Sequence, residues 1–91
     1  MQEDKKEQFS AVMSNLIKNR REKLNKNIYL ISAESFIPRS TWRDIEVGLR
    51  KDINLTTFCK IAEGLDMKPY ELLRELCENL GDDFSFTDLG S

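Results

Sequence analysis

Hydrophobic residues recur every three or four positions along most of the chain, which is the spacing of one face of an α-helix. Near the N-terminus this pattern predicts a first helix over about residues 6–24. Its apolar face consists of Phe9, Val12, Met13, Leu16, Ile17 and Leu24. The sequence has no strand-length run of alternating hydrophobic and polar residues bounded by hairpin turns. We therefore expect an all-α protein.

Capping residues, prolines and glycines divide the rest of the chain into four shorter helices. Asn27 and Asn54 are suitable N-caps, and Pro38 and Pro69 stand where the first turn of a helix tolerates proline. The predicted helices cover about residues 28–35, 39–47, 55–65 and 69–80. The inner face of the fourth helix is predicted to contain Leu55, Phe58, Ile61, Ala62 and Leu65. Gly81 is expected to close the helical part.

With 91 residues, of which 40% are hydrophobic and 33% charged, the chain has room for one small core. It contains no histidine, the commonest general base, and no glycine-rich phosphate loop, activated-serine pattern or paired metal ligands. We therefore expect a binding module rather than an enzyme, with no metal and no cofactor. Cys59 and Cys77 are isolated, and we interpret them as small apolar groups.

No segment of the sequence indicates a membrane protein. The apolar runs are far shorter than the ~20 residues that a membrane-spanning helix needs, and the N-terminus lacks the apolar stretch of a signal peptide. We therefore expect a cytoplasmic protein with no membrane partner.

Charge is distributed unevenly, although the whole chain carries a net charge of only -2. Residues 18–51 contain nine basic and four acidic side chains, a net charge of +5, whereas residues 52–91 contain three basic and nine acidic ones, a net charge of -6. A nucleic acid meets a local surface, so the positive middle of the chain favours an anionic partner. The acidic C-terminal part is compatible with a protein partner.

Three segments resemble the phage-repressor type of helix-turn-helix domain, the Cro-like or XRE family. They are residues 17–24 (IKNRREKL), 37–48 (IPRSTWRDIEVG) and 58–73 (FCKIAEGLDMKPYELL). The resemblance covers about 57 of the 91 residues. It implies a single five-helix, lambda-repressor-like helix-turn-helix domain over residues 1–80, with its core at about 17–73 and short N- and C-terminal extensions. Residues 81–91 would form an acidic tail.

In this family the third helix lies in the major groove, so the resemblance implies base contacts from its outward-facing residues. By position, these residues are Arg39, Ser40, Thr41, Arg43 and Asp44. The chemistry agrees, because an arginine fork matches guanine O6 and N7 and a carboxylate can accept from cytosine N4. A solvated helix face is the alternative interpretation. Trp42 and Ile45 lie on the other side of the helix and are expected in the core.

Four basic residues beside this helix are candidate phosphate contacts, with ordinary surface solubility as the alternative. They are Lys23, Lys26, Arg50 and Lys51. Asn27, with the N-terminal amides of the second helix, is a further candidate phosphate contact. The resemblance also implies a structural ion pair between Arg21 and Glu46 that fastens the first helix to the third. The chain departs from the family at the turn before the third helix, where Phe36 replaces a small residue that is often glycine.

The fifth helix is predicted to form a homodimer, because its apolar stripe is wider than contacts with the first and fourth helices require. The predicted interface residues are Leu73, Leu76, Cys77 and Leu80. Such a dimer would set two third helices about 34 Å apart, one turn of DNA. The tail carries Phe84, Phe86 and Leu89, and we expect it to be frayed or, alternatively, to fold over a partner chain.

These features together predict a small transcriptional regulator that binds double-stranded DNA in a sequence-specific way. We expect a repressor that acts as a dimer on a partly palindromic operator. An antitoxin or a restriction-modification controller of the same fold is an alternative within this class. An alternative of another class is a protein-interaction adaptor that binds another protein through its acidic half and does not read DNA.

Overall fold

The computed structural model describes residues 2–87, and within them the chain forms five α-helices and no strand. The helices are α1 (Gln2–Lys23), α2 (Ile28–Ser35), α3 (Arg39–Glu46), α4 (Leu55–Gly64) and α5 (Pro69–Leu80). The all-α class is confirmed. The predicted bounds hold except that α1 begins earlier, and that α1, α3 and α4 each end one residue sooner. None of the described helices is long and apolar enough to cross a membrane.

The core lies where all five helices converge. Its buried members are Met13, Ile17, Ile31, Ile37, Trp42, Ile45, Ile61, Ala62, Leu65, Met67, Leu72 and Leu76. Within it, α2 packs on α3 and α4, while α1 packs on α3 and α5. Trp42, the largest fully buried side chain, belongs to α3. Burying a side chain of this size fixes the inner face of α3 and leaves its outer face to solvent.

The α2–α4 contact depends on a glycine. A Cβ atom at Gly64 would lie 3.0 Å from Cβ of Ser35 and 3.3 Å from Cδ1 of Ile31. These distances are closer than ordinary packing allows, so the absence of a side chain at Gly64 lets the end of α4 approach α2.

The turn between α2 and α3 places a large aromatic residue in a left-handed backbone conformation. Phe36 has φ 59° and ψ 37°, and its backbone N–H donates to the carbonyl of Ser32. The backbone N–H of Ile37 donates to the same carbonyl at 3.1 Å. The Phe36 side chain is 83% exposed, so packing offsets little of the roughly 1–2 kcal/mol that this conformation costs a residue with a Cβ. Glycine, which has no Cβ, would adopt this left-handed conformation at no steric cost.

The part of the tail that the structure describes folds back onto its own chain. The rings of Phe84 and Phe86 lie 6.2 Å and 5.1 Å from the ring of Phe9 on α1, measured between centroids. The ammonium of Lys5 lies 5.2 Å from the centroid of the Phe84 ring. The prediction of a frayed terminus is therefore wrong for these two phenylalanines, because a ring on α1 gives them an apolar surface. Leu89 lies outside the described residues.

Candidate nucleic-acid interface

The last turn of α3 is fastened to α1 by the ion pair between Arg21 and Glu46. Arg21 donates from Nε to Oε2 at 2.6 Å and from Nη2 to Oε1 at 2.9 Å, and its Nη1 donates to the carbonyl of Lys26 at 2.8 Å. Trp42 Nε1 donates to the same Oε2 atom at 2.6 Å. The two charged side chains are only 12% and 6% exposed. The hydrogen bond to Glu46 raises the pKa of Arg21, with burial acting in the opposite direction.

The predicted base-contacting residues lie outside the core on α3. Arg39, Ser40 and Arg43 are exposed, and Thr41 and Asp44 are partly exposed. No side chain caps the first turn of this helix, whose preceding residue is a proline, so the positive end of the helix dipole faces outward beside Arg39. The exposed side of α3 therefore combines two guanidinium groups with hydroxyl and carboxylate groups.

A contact between α2 and α3 joins two exposed side chains that the sequence analysis did not connect. Cζ of Arg39 lies 5.1 Å from the centroid of the Tyr29 ring, within the range of a cation–π interaction. Tyr29 is 67% exposed and adds nothing to the core. The sequence places Tyr29 two residues after the N-cap of α2, at a surface-facing position. Only the packing of α2 on α3 shows that its ring lies beside Arg39.

Four of the five predicted phosphate contacts are accessible. Lys23, Arg50 and Lys51 are exposed. Asn27 is also exposed, and its Oδ1 accepts from the backbone N–H of Leu30 at 2.8 Å as the N-cap of α2. A capping oxygen used in this way leaves the side-chain NH₂ group of Asn27 available to a phosphate.

The prediction that Lys26 contacts phosphate is corrected by the structure. Its ammonium lies 2.8 Å from Glu34 Oε1 and 3.5 Å from Asp66 Oδ2, and it donates to the carbonyl of Gly64 at 3.0 Å. The side chain is only 13% exposed. The hydrogen bond to Glu34 raises the pKa of Lys26, burial opposes it, and the charge of Asp66 adds to the rise. Lys26 thus links the loop after α1 to α2 and to the end of α4. Its positive charge is paired with carboxylates of the same chain.

The predicted dimer seam is corrected in part. Leu76 is fully buried in the core of its own chain and cannot contact a second copy while this fold persists. Leu80 is partly buried against the same core. Leu73 remains 48% exposed, and Cys77 is exposed as well. Helical periodicity alone predicted one wide stripe, whereas the packing of α1 and α4 on α5 divides it into a covered side and a free side.

Leu73 lines an apolar groove of about 240 Å³. The other lining residues are Phe9, Met13, Lys51, Ile53, Leu55 and Phe58. Leu55 was predicted on the inner face of the fourth helix, but it is exposed because it opens α4, ahead of the turns that enter the core. The accessible apolar surface therefore runs from α5 to the beginning of α4.

Within residues 2–87, no group of three or more cysteine, aspartate and glutamate side chains is placed to hold a metal ion.

Comparison of the chain with protein-family models, with curated proteins and with solved structures gives no match.

Proposed function

We propose that the chain is a DNA-binding protein of the helix-turn-helix type, in which α2 and α3 form the motif and α3 reads the major groove. The observation that carries this proposal is the two-sided construction of α3. Its inner side is held by buried Trp42 and by the Arg21–Glu46 ion pair, while Arg39 and Arg43 project from its outer side. A rigid helix that presents arginines on one free face is suited to reading base edges.

The dimensions and chemistry of α3 agree with this role. An α-helix with its side chains is roughly 10–12 Å in diameter, which fits the ~12 Å width of the major groove. Arg39 and Arg43 supply forks for guanine, Asp44 an acceptor for cytosine N4, and Ser40 and Thr41 hydroxyls for bases or phosphates. Flanking Lys23, Arg50, Lys51 and the N-terminus of α2 at Asn27 would hold the DNA backbone. Each phosphate that they neutralise releases counterions, so affinity falls as salt rises.

The proposed regulator acts as a homodimer. A second copy is the proposed occupant of the surface formed by Leu73, Cys77 and Leu55, which takes the place of the seam that included Leu76. A two-fold axis there would present two α3 helices to a partly palindromic operator, and linking two modest sites raises the affinity for the whole operator. Repression follows if the bound dimer excludes other proteins from that DNA. An antitoxin or restriction-modification controller would share the same DNA-binding surface.

A protein-interaction adaptor is the second candidate. Exposed carboxylates on α5 and the following turn, among them Glu71, Glu78 and Asp82, favour a basic protein partner on that side of the molecule. This surface differs from the outer face of α3, so the two candidates predict different responses to substitution of Arg39.

Selection from a pool of random DNA duplexes, followed by gel-shift titration of the selected duplex at low and moderate salt, tests the proposal. We expect enrichment of one sequence, a discrete shifted band, and tighter binding than to a scrambled duplex of equal length. An adaptor would enrich no sequence and give no discrete band at either salt concentration. That outcome would overturn the DNA-binding proposal.

A further inference from the structure

The Tyr29–Arg39 contact joins two exposed side chains from different helices of the proposed DNA-binding surface. Neither side chain is needed to cover the core. We propose that Tyr29 is a specificity-determining residue, because its ring positions the Arg39 guanidinium to engage a guanine. This assignment rests on the proposed function and adds a residue of α2 to the reading of base sequence.

The backbone positions of both partners are set by the fold. Asn27 caps α2 through the amide of Leu30, and buried Ile31 and Ser32 hold the middle of that helix. The amide of Trp42 donates to the carbonyl of Pro38 at 2.9 Å, which begins α3 immediately beside Arg39. The ring and the guanidinium are therefore brought together before any DNA is present.

Such a contact benefits base reading in two ways. An exposed arginine has many rotamers, and restricting them in the free protein reduces the entropy lost when the side chain is ordered on a base. An aromatic ring attracts the guanidinium through its face, while the N–H donors that match guanine O6 and N7 lie along the guanidinium edge. Tyr29 can therefore hold Arg39 without occupying the donors that the base requires.

Three substitutions separate this role from others. Tyr29→Phe keeps the ring and removes the hydroxyl, whereas Tyr29→Leu removes the ring and keeps an apolar side chain. Tyr70→Leu is the matched control, because Tyr70 is a similarly exposed tyrosine on α5, at 61% against 67% for Tyr29. Each variant is made in the natural chain and in the Arg39→Ala background. Thermal unfolding checks that all of them are folded.

Binding is measured on the selected duplex and on a scrambled duplex of equal length. We expect Tyr29→Leu to weaken binding to the selected duplex about 3- to 10-fold and to leave the scrambled duplex unaffected. Tyr29→Phe and Tyr70→Leu should match the natural chain. In the Arg39→Ala background, Tyr29→Leu should cause no further loss, since there is no guanidinium left to position.

The failures of this inference and of the proposed function are distinguishable. If the natural chain does not discriminate between the two duplexes, the proposed function is overturned and this assignment with it. If the natural chain discriminates and Tyr29→Leu discriminates equally well, only the role of Tyr29 is overturned. Equal losses on both duplexes, or an undiminished loss in the Arg39→Ala background, would also overturn it by making Tyr29 an independent contact.

A measurement without DNA tests the positioning itself. Ring-current shifts of the Arg39 side-chain protons should be present in the NMR spectrum of the free natural chain and of Tyr29→Phe, and lost in Tyr29→Leu. Their absence from the natural chain would contradict a preformed contact.

Discussion

Arg21 of α1 and Glu46 of α3 form a two-point ion pair, with N–O distances of 2.6 and 2.9 Å, in a largely buried setting. The same carboxylate accepts from Trp42, which anchors α3 in the core. The ion pair therefore holds the C-terminal turn of α3 against α1, and the hydrogen bond from Trp42 orients the Glu46 carboxylate. Arg39, at the opposite end of the helix, remains exposed.

Removing the carboxylate should destabilise the fold. Glu46→Ala leaves a largely buried guanidinium and the indole N–H of Trp42 without their acceptor, and we expect a loss of about 2–4 kcal/mol in the free energy of unfolding. Urea denaturation measures this loss. The control is Asp52→Ala, which removes the exposed partner of Lys6 and should change stability by less than about 1 kcal/mol. A double-mutant cycle of Arg21→Met with Glu46→Ala that shows negligible coupling would contradict a stabilising pair.

Lys26 should behave as a structural residue. Lys26→Met deprives Glu34 and Asp66 of their cation and the Gly64 carbonyl of its donor, so we expect a loss of about 1–3 kcal/mol in stability. Its effect on the salt dependence of DNA binding should be small. Lys51→Ala should do the reverse, leaving stability unchanged and reducing the slope of log K against log salt by about one. A slope reduced by one in Lys26→Met would contradict this interpretation.

The stabilising contribution of Lys26 should also disappear at high pH. Its pKa is raised in the folded chain, above the ordinary value of about 10.4, because the ammonium donates to Glu34. The contribution is therefore complete below the unfolded pKa and is lost as the pH rises through the folded pKa. We expect the stability difference between the natural chain and Lys26→Met to be constant near neutral pH and to shrink above about pH 10.4. Urea unfolding of both chains across this range measures it, and a difference that stays constant would be the contrary result.

Much of the fold follows from local signals in the sequence. Asn27 and Asn54 cap α2 and α4 as predicted, each accepting from a backbone N–H at 2.8 Å, and Pro69 begins α5. These elements were predictable because a cap or a proline acts on its nearest neighbours along the chain. The Arg21–Glu46 pair was implied by the family resemblance, since opposite charges stood at the two positions that the family pairs.

The predictions for Lys26 and Leu76 were wrong because the surroundings of these side chains depend on segments that are distant in the sequence. Lys26 resembles any other basic residue next to a helix, and only the convergence of the α1–α2 loop, α2 and the end of α4 brings Glu34 and Asp66 to its ammonium. In the same way, helical periodicity places both Leu73 and Leu76 in the predicted dimer interface, whereas the packing of α1 and α4 on α5 buries only Leu76. Hydrophobic pattern identifies a helix face, but the arrangement of the other helices decides which part of it remains free.

The turn before α3 offers a stabilising substitution. Phe36→Gly relieves the left-handed strain at φ 59° and loses little packing, while glycine adds entropy to the unfolded chain. The net result should be a gain of about 0.5–1 kcal/mol. Phe36→Ala removes the ring but keeps the strain, so its stability should stay near that of the natural chain. Thermal unfolding of the three proteins measures the difference, and a Phe36→Gly chain less stable than Phe36→Ala would show that the ring makes a needed contact.

The proposed dimer surface predicts which leucines control assembly. Leu73→Asp and Leu55→Asp should convert a dimer into a folded monomer, because each places a carboxylate on the apolar surface between copies. Leu76→Asp should instead unfold the chain, since that side chain is buried. Leu30→Asp, an exposed position on α2, is the control and should remain dimeric. Sedimentation at micromolar concentration measures all four, and a natural chain that is monomeric there would contradict the proposed dimer.

Paired titrations of the natural chain and Arg39→Ala test whether the outer face of α3 reads DNA sequence. Binding to the selected duplex and to a scrambled duplex of equal length is followed by fluorescence anisotropy at one fixed salt concentration. We expect Arg39→Ala to lose about 1–3 kcal/mol on the selected duplex, roughly 5- to 150-fold in affinity, and to change little on the scrambled one. Equal losses on both duplexes would make Arg39 a phosphate contact, and a natural chain that binds both duplexes equally would contradict sequence reading by α3.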